Sequence, residues 1–143
     1  MENTTAAYVA GLIDGEGCIT ITWHRNRSKS SGKDNPRFLP YITVTNTKME
    51  IINWLLENFG GSFTTAHRTN GWNDCHTWYL CTRDTVRVFL ETIEPYVIIK
   101  KPQIKMLTAF LDLGNSPGKH DDFLEEDRAD IFLSMKELNK RGK

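Results

Sequence analysis

Residues 6 to 13, "AAYVAGLI", are apolar on nearly every side of a helix, and from residue 18 the chain changes to strict alternation. The pattern predicts a helix through Ala6 to Ile13, with an N-cap among Asn3, Thr4 and Thr5 and a stop near the glycines at 15 and 17. "CITITWH", residues 18 to 24, sets Ile19, Ile21 and Trp23 against Thr20, Thr22 and His24, as a half-buried strand does. "RFLPYITVTN" repeats the alternation, Phe38, Ile42 and Val44 opposing Arg37, Tyr41, Thr43 and Thr45, with Pro40 marking an edge or a bulge. "MEIINWLLENFGG" returns to helical spacing at Ile51, Ile52, Leu55, Leu56 and Phe59, and Gly60-Gly61 stops it. A second hairpin follows, about Ser62 to Thr69 and Cys75 to Thr82 around "NGWND". Its buried face stays open, because Phe63 and Trp78 sit on alternations that oppose the polar positions. Three helices complete the pattern: "RDTVRVFLETI"; "PQIKMLTAFLDLG", with Pro102 near N1 and Gly114 as stop; and "DFLEEDRADIFLSMKELNKRGK", acidic at its start and basic at its end.

The order predicts an α+β fold: two β-hairpins joined into one antiparallel, saddle-like sheet, with helices packed on one face and a polar strand surface on the other. Threonine is also simply a good strand former. A surface of this kind fits the major groove of DNA. At 143 residues and 39% hydrophobic content, one domain over residues 1–143 is the default. Cysteines at 18, 75 and 81 suit neither a disulfide framework nor a paired zinc site. With no apolar stretch near the ~20 residues that cross a bilayer, the expectation is a soluble, intracellular protein without a membrane partner.

The net charge of +0 argues against a nucleic-acid partner until its distribution is read. Arg25, Arg27, Lys29, Lys33 and Arg37 crowd the loop after the first strand against Asp34 alone, whereas Asp121 to Asp130 gathers six acids against Arg128. Charge runs are often only solvated faces.

"AAYVAGLIDGEGCITI" carries the chemistry. Each glycine inside a helix costs about 0.8–1.0 kcal/mol relative to alanine, so Gly11 and Gly15, four apart on one face, need a compensating close approach by another helix. Ala6, Val9, Ala10 and Ile13 serve the chain's own core, which leaves the glycine face to meet a second copy of the chain. In such a pair two copies of Glu16 would stand near the dyad, repelling unless cations bridge them. Divalent ions there, beside a surface fit for DNA, are what a two-metal phosphodiester hydrolase needs. The plainer reading is a helix end followed by a turn.

"YVAGLIDGEG", residues 8 to 17, resembles the signature of the LAGLIDADG homing endonucleases, with Val9 in the leading leucine position, Gly15 in place of alanine and Glu16 in place of the final aspartate. The helix, hairpin, helix, hairpin, helix order extends the resemblance over about residues 4–113, leaving a C-terminal helical extension at about 117–141. The resemblance implies that Glu16 and the Gly15 carbonyl hold a catalytic Mg²⁺ or Mn²⁺, that Asp14 is structural, that Asn46 orders active-site water and that Lys100 approaches the scissile phosphate, with Lys101 beside it. Glu50 stands where some relatives carry an auxiliary arginine. Only one motif is present, which implies a homodimer through Tyr8, Gly11, Leu12 and Gly15 on a near-palindromic double-stranded DNA target. Thr20, Thr22, His24, Arg37, Tyr41 and Thr43 would face the major groove, the loop from Arg25 and Arg27 through Lys29 to Lys33 would reach outer bases and phosphates, and His67 and Arg68 join the DNA-binding set. The expected activity is metal-dependent double-strand cleavage by an intron-encoded enzyme. The alternative is an RNA maturase bound to intron RNA, or a non-catalytic DNA-binding module, on the same fold.

Overall fold

The computed structural model describes residues 2–27, 34–69, 71–113 and 122–140, with the backbone alone described at 24–27, 34–36 and 122–126. Lys29, Lys33, Gly114 and Asp121 lie outside the described residues, as do the side chains of His24, Arg25 and Arg27. The elements run α1 (Asn3–Glu16), β1 (Gly17–Arg27), β2 (Asp34–Asn46), α2 (Met49–Phe59), β3 (Ser62–Ala66), β4 (Cys75–Leu80), α3 (Arg83–Ile93), α4 (Lys101–Asp112) and α5 (Asp122–Leu138).

α1 begins earlier than its apolar run. Its cap is Glu2, whose carbonyl takes the Ala6 N–H at 3.1 Å, and no side chain caps it, so Asn3, Thr4 and Thr5 are not N-caps. At the other end Gly17 is a steric requirement. A Cβ there would stand 2.7 Å from the Ile13 Cα, because β1 turns back against the helix it has just left.

The four strands form one antiparallel sheet in the order β1-β2-β4-β3. β1 and β2 pair without interruption from Gly17 opposite Val44 to Arg27 opposite Asp34, so Pro40, opposite Ile21, sits in no bulge. β4 pairs with β2 only from Ile42 onward, and Pro40 therefore falls where β2 has β1 alone beside it, an edge that tolerates a missing N–H.

One face of the sheet is covered by helices. Ile19, Ile21, Ile42, Val44, Trp78 and Leu80 meet Val9, Ala10 and Ile13 of α1, Ile52 and Leu55 of α2, and the apolar stripes of α3 and α4 in one buried cluster. Each valine, leucine or isoleucine among them contributes about 1.5–3 kcal/mol when fully buried. The second hairpin buries Trp78 and Leu80 and leaves Phe63, opposite Trp78, exposed. The two rings share the helix-covered face, and Phe63 stays wet because β3 is the edge strand; Trp78 lies one strand further in, its Nε1 donating to the Gly60 carbonyl at 2.8 Å and its ring 5.7 Å from that of Phe89.

α3 and α4 are joined by Arg83, which donates to the Leu111 carbonyl at 2.9 Å and lies over the Phe110 ring; burial, then the neighbouring Arg128 and Arg87, lowers its pKa. Just beyond α5, Asn139 donates to the Ile19 carbonyl of the outer strand β1 at 3.0 Å and accepts from Gln103 at 3.3 Å. Among the described residues no helix is long and apolar enough to cross a membrane.

Candidate functional site

Glu16 is the last residue of α1 and is exposed. The Gly17 N–H donates to the Ile13 carbonyl, so the helix itself supplies no donor to the carbonyls of Asp14, Gly15 and Glu16. Those carbonyls form the negative pole of the helix, beside a carboxylate. Asn46 closes β2 and donates from Nδ2 to Glu16 Oε2 at 3.1 Å, while its Oδ1 accepts the Lys48 N–H at 2.8 Å. That second bond settles the amide's orientation: the oxygen end is held by a backbone donor, and the NH₂ end must face Glu16.

Asp14 turns the other way, as residues two apart on a helix, about 200° around its axis, must. Its carboxylate accepts three successive backbone N–H groups ahead of α4: Ile98 at 2.7 Å, Ile99 at 3.2 Å and Lys100 at 3.1 Å. One short segment thus supplies two carboxylates with different surroundings, one engaged with the backbone of its own chain and one presented outward. Lys100 is tied through its backbone to the segment that carries Glu16.

Nothing comes within 4 Å of a Cβ built on Gly11 or Gly15. Beside them a groove of about 840 Å³ runs between α1 and α2, its walls Tyr8, Leu12, Ile51 and Trp54 and its end Glu16 and Asn46. Tyr8 is 57% exposed although its ring packs edge-on against Trp54 at 5.0 Å. Among the described residues no three His, Cys, Asp or Glu side chains converge on a metal-sized point.

The sheet's other face holds Thr20, Thr22, Arg37, Tyr41 and Thr43 together, as the alternation predicts, and the pairing of β4 with β2 extends it. Thr77 and Tyr79 are additions that alternation alone left undecided. Thr45 and Thr77 share a hydroxyl hydrogen bond at 3.0 Å, and the Tyr41 and Tyr79 rings stack with centroids 5.6 Å apart. Partial burial, then the neighbouring Tyr79 and Cys81, raises the pKa of the Tyr41 phenol. The turn after β3 holds His67 to Asp74 at 3.0 Å and the Arg68 guanidinium 5.8 Å from the Trp72 ring. Trp72 is the exposed aromatic there that a search for cations overlooks. Lys101 opens α4 and is exposed.

The family model of the LAGLIDADG endonucleases matches residues 9–109. No curated protein sequence matches the chain. Among solved structures, the homing endonuclease I-CvuI, crystallised with the I-CreI target in the presence of Mg, is 20% identical with a TM-score of 0.77 over 98% of this chain and 84% of that one. The archaeal intron-encoded homing endonuclease I-Vdi141I, complexed with DNA, is 16% identical with a TM-score of 0.77 over 100% of this chain and 89% of its own. The homing endonuclease I-TnaI is 21% identical with a TM-score of 0.73 over 99% of this chain and 90% of its own. At such identities the likeness speaks for the fold.

Proposed function

The chain belongs to the LAGLIDADG endonuclease family, and from that premise we propose that it is an intron-encoded, site-specific homing endonuclease that works as a homodimer and cuts both strands of a long, near-palindromic DNA target with divalent cations. The observation that carries the reading is Glu16, exposed at the negative end of α1 and hydrogen-bonded to Asn46. It stands on a helix whose glycines leave nothing within 4 Å. A second α1 packed there would bring a second Glu16 alongside.

The donor set suits a hard cation: carboxylate oxygen from Glu16 and the Gly15 carbonyl at the helix's negative pole. Mg²⁺ or Mn²⁺ held by Glu16 and Gly15 would activate water and stabilise the leaving 3′ oxygen. The chain's own residues do the positioning. Asn46 steadies the Glu16 carboxylate through Nδ2 and lies where its amide can order water. Asp14, by holding the Lys100 N–H, keeps the lysine near the segment that bears Glu16, where its ammonium would offset phosphate charge.

The test is incubation of the purified chain and Mg²⁺ with DNA carrying the intronless insertion site of its own gene, beside Glu16→Gln. The parent is expected to make a discrete double-strand cut. The variant keeps side-chain shape without the charge, and is expected to bind that DNA and leave it whole. Binding without cutting by the parent would favour the non-catalytic module; Mg²⁺-dependent cutting by Glu16→Gln would defeat the assignment of the site.

A further inference from the structure

If the sheet lies on DNA, it can read only with the groups it presents. From Thr45, beside the Glu16–Asn46 pair, to Arg37 is eight residues along β2, roughly 27 Å of strand at ~3.4 Å per residue. Over the described side chains of that face, including its neighbours on β1, β3 and β4, Arg37 is the one charged residue, and there is no Asn, Gln, Asp or Glu. Between Arg37 and the turn after β3, which carries His67, Arg68 and Asp74 beyond the Ala66–Cys75 pair, the described strand residues of this face therefore lack the groups that discriminate bases strongly: Arg or Lys for guanine, Asn or Gln for adenine, Asp or Glu for cytosine.

The hydroxyls that remain are partly committed. Thr45 and Thr77 use one hydroxyl proton on each other, and Thr22 Oγ1 is buried with no hydrogen-bond partner among the described residues. What the middle of the face offers in quantity is carbon, the methyls of its threonines and the rims of the stacked Tyr41 and Tyr79. The major-groove feature that matches carbon is the thymine C5-methyl.

We propose that the base pairs nearest the cut, beneath the Thr20, Thr43, Thr45 and Thr77 part of the sheet, are read through thymine methyl groups. This rests on the DNA-cleaving function proposed above. The inner part of each half-site is then thymine-rich and loosely specified. A bidentate contact discriminates roughly 5- to 150-fold, whereas one buried methyl is worth about fourfold. Tight specification falls further out, beginning at Arg37.

The experiment has a DNA arm and a protein arm. A random duplex library is enriched on the full chain in Ca²⁺, and the inner thymines of the selected site are then replaced by deoxyuracil, which removes the methyl and keeps the base pairing. Expected are inner thymine enrichment without a fixed guanine, and an affinity loss of about fourfold per deoxyuracil. Thr43→Val, which keeps a methyl, should retain the preference for thymine over uracil; Thr43→Ser should reduce it. Enrichment of a fixed inner guanine, or indifference to deoxyuracil, overturns the inference while leaving the endonuclease reading intact. Failure to enrich any sequence overturns the DNA-binding reading and this inference with it.

Discussion

Removing the Asp14 carboxylate should cost stability at a site more than 80 residues away in sequence. Asp14→Ala frees three N–H groups, those of Ile98, Ile99 and Lys100. Hydrogen bonds to a charged acceptor are worth about 1.5–3 kcal/mol, and less where water replaces the acceptor. Ile98 and Ile99 are 82% and 67% exposed, so water recovers most of their share, about 0.5 kcal/mol lost for each, while half-buried Lys100 loses about 1.5. The sum is about 2.5 kcal/mol. At about 3 °C per kcal/mol for a chain of this size, the melting temperature should fall by about 7 °C. Asp14→Asn, which keeps one acceptor oxygen, should lose about half as much. Glu16→Gln, whose carboxylate touches only the Asn46 amide among the bonds described, should melt with the parent. The assay is thermal unfolding followed by circular dichroism at one fixed protein concentration, because association makes the midpoint concentration-dependent. A drop of less than about 2 °C for Asp14→Ala would show that the three bonds add little beyond what water supplies, and would refute the calculation.

Gly11→Ala meets open space, so it should stabilise the isolated subunit by up to about 1 kcal/mol while weakening the proposed dimer; sedimentation velocity against thermal unfolding separates the two effects, and an unweakened dimer would place the interface elsewhere. Gly17→Ala drives its Cβ to 2.7 Å from backbone and should lose about 1–3 kcal/mol in urea unfolding; parent-like stability would mean that β1 shifts freely at its start. Tyr41 binds its phenolic proton more tightly when folded, so its contribution is fully present below the ordinary tyrosine value of 10.0 and is lost as pH rises through the higher folded pKa. Tyr41→Phe should reduce the fall of stability in that alkaline window, read by denaturation at a series of pH values, and an unchanged fall would assign it to other groups.

Periodicity placed the elements well where one face is buried and the other wet. α2 and α3 occupy the spans their apolar spacing marks, Met49–Phe59 and Arg83–Ile93, and the β1–β2 faces follow their alternation. It failed at the second hairpin. There Phe63 and Trp78 lie on one face, and what separates exposed from buried is strand order, β3 at the edge and β4 inside it, which local alternation does not record. Local rules also missed the start of α1, which begins from Glu2 with no side-chain cap, although Asn, Thr and Thr follow it. In the candidate site, Glu16 was legible as a carboxylate at a helix end and Asn46 only through the family resemblance, and the structure brings them to 3.1 Å. The N–H groups that Asp14 holds were not legible, since no spacing rule connects position 14 with 98–100. Gly17 reads in sequence as one more helix stop, and only the return of β1 against Ile13 shows why a methyl is refused.

A sheet that keeps one broad face open for a partner cannot hide that face inside its own fold, so its defence against stacking with copies of itself has to lie along its rims. One rim is β3, only five residues long and rich in hydroxyls. Very short edge strands are poor templates for another chain. The other is the long β1, where Asn139 caps the Ile19 carbonyl as α5 ends. The C-terminal helix is therefore more than an appendage to the core. A chain cut before Asn139 would keep every residue of the proposed site and yet bare the Ile19 carbonyl on that rim, a backbone acceptor open to the edge of another copy.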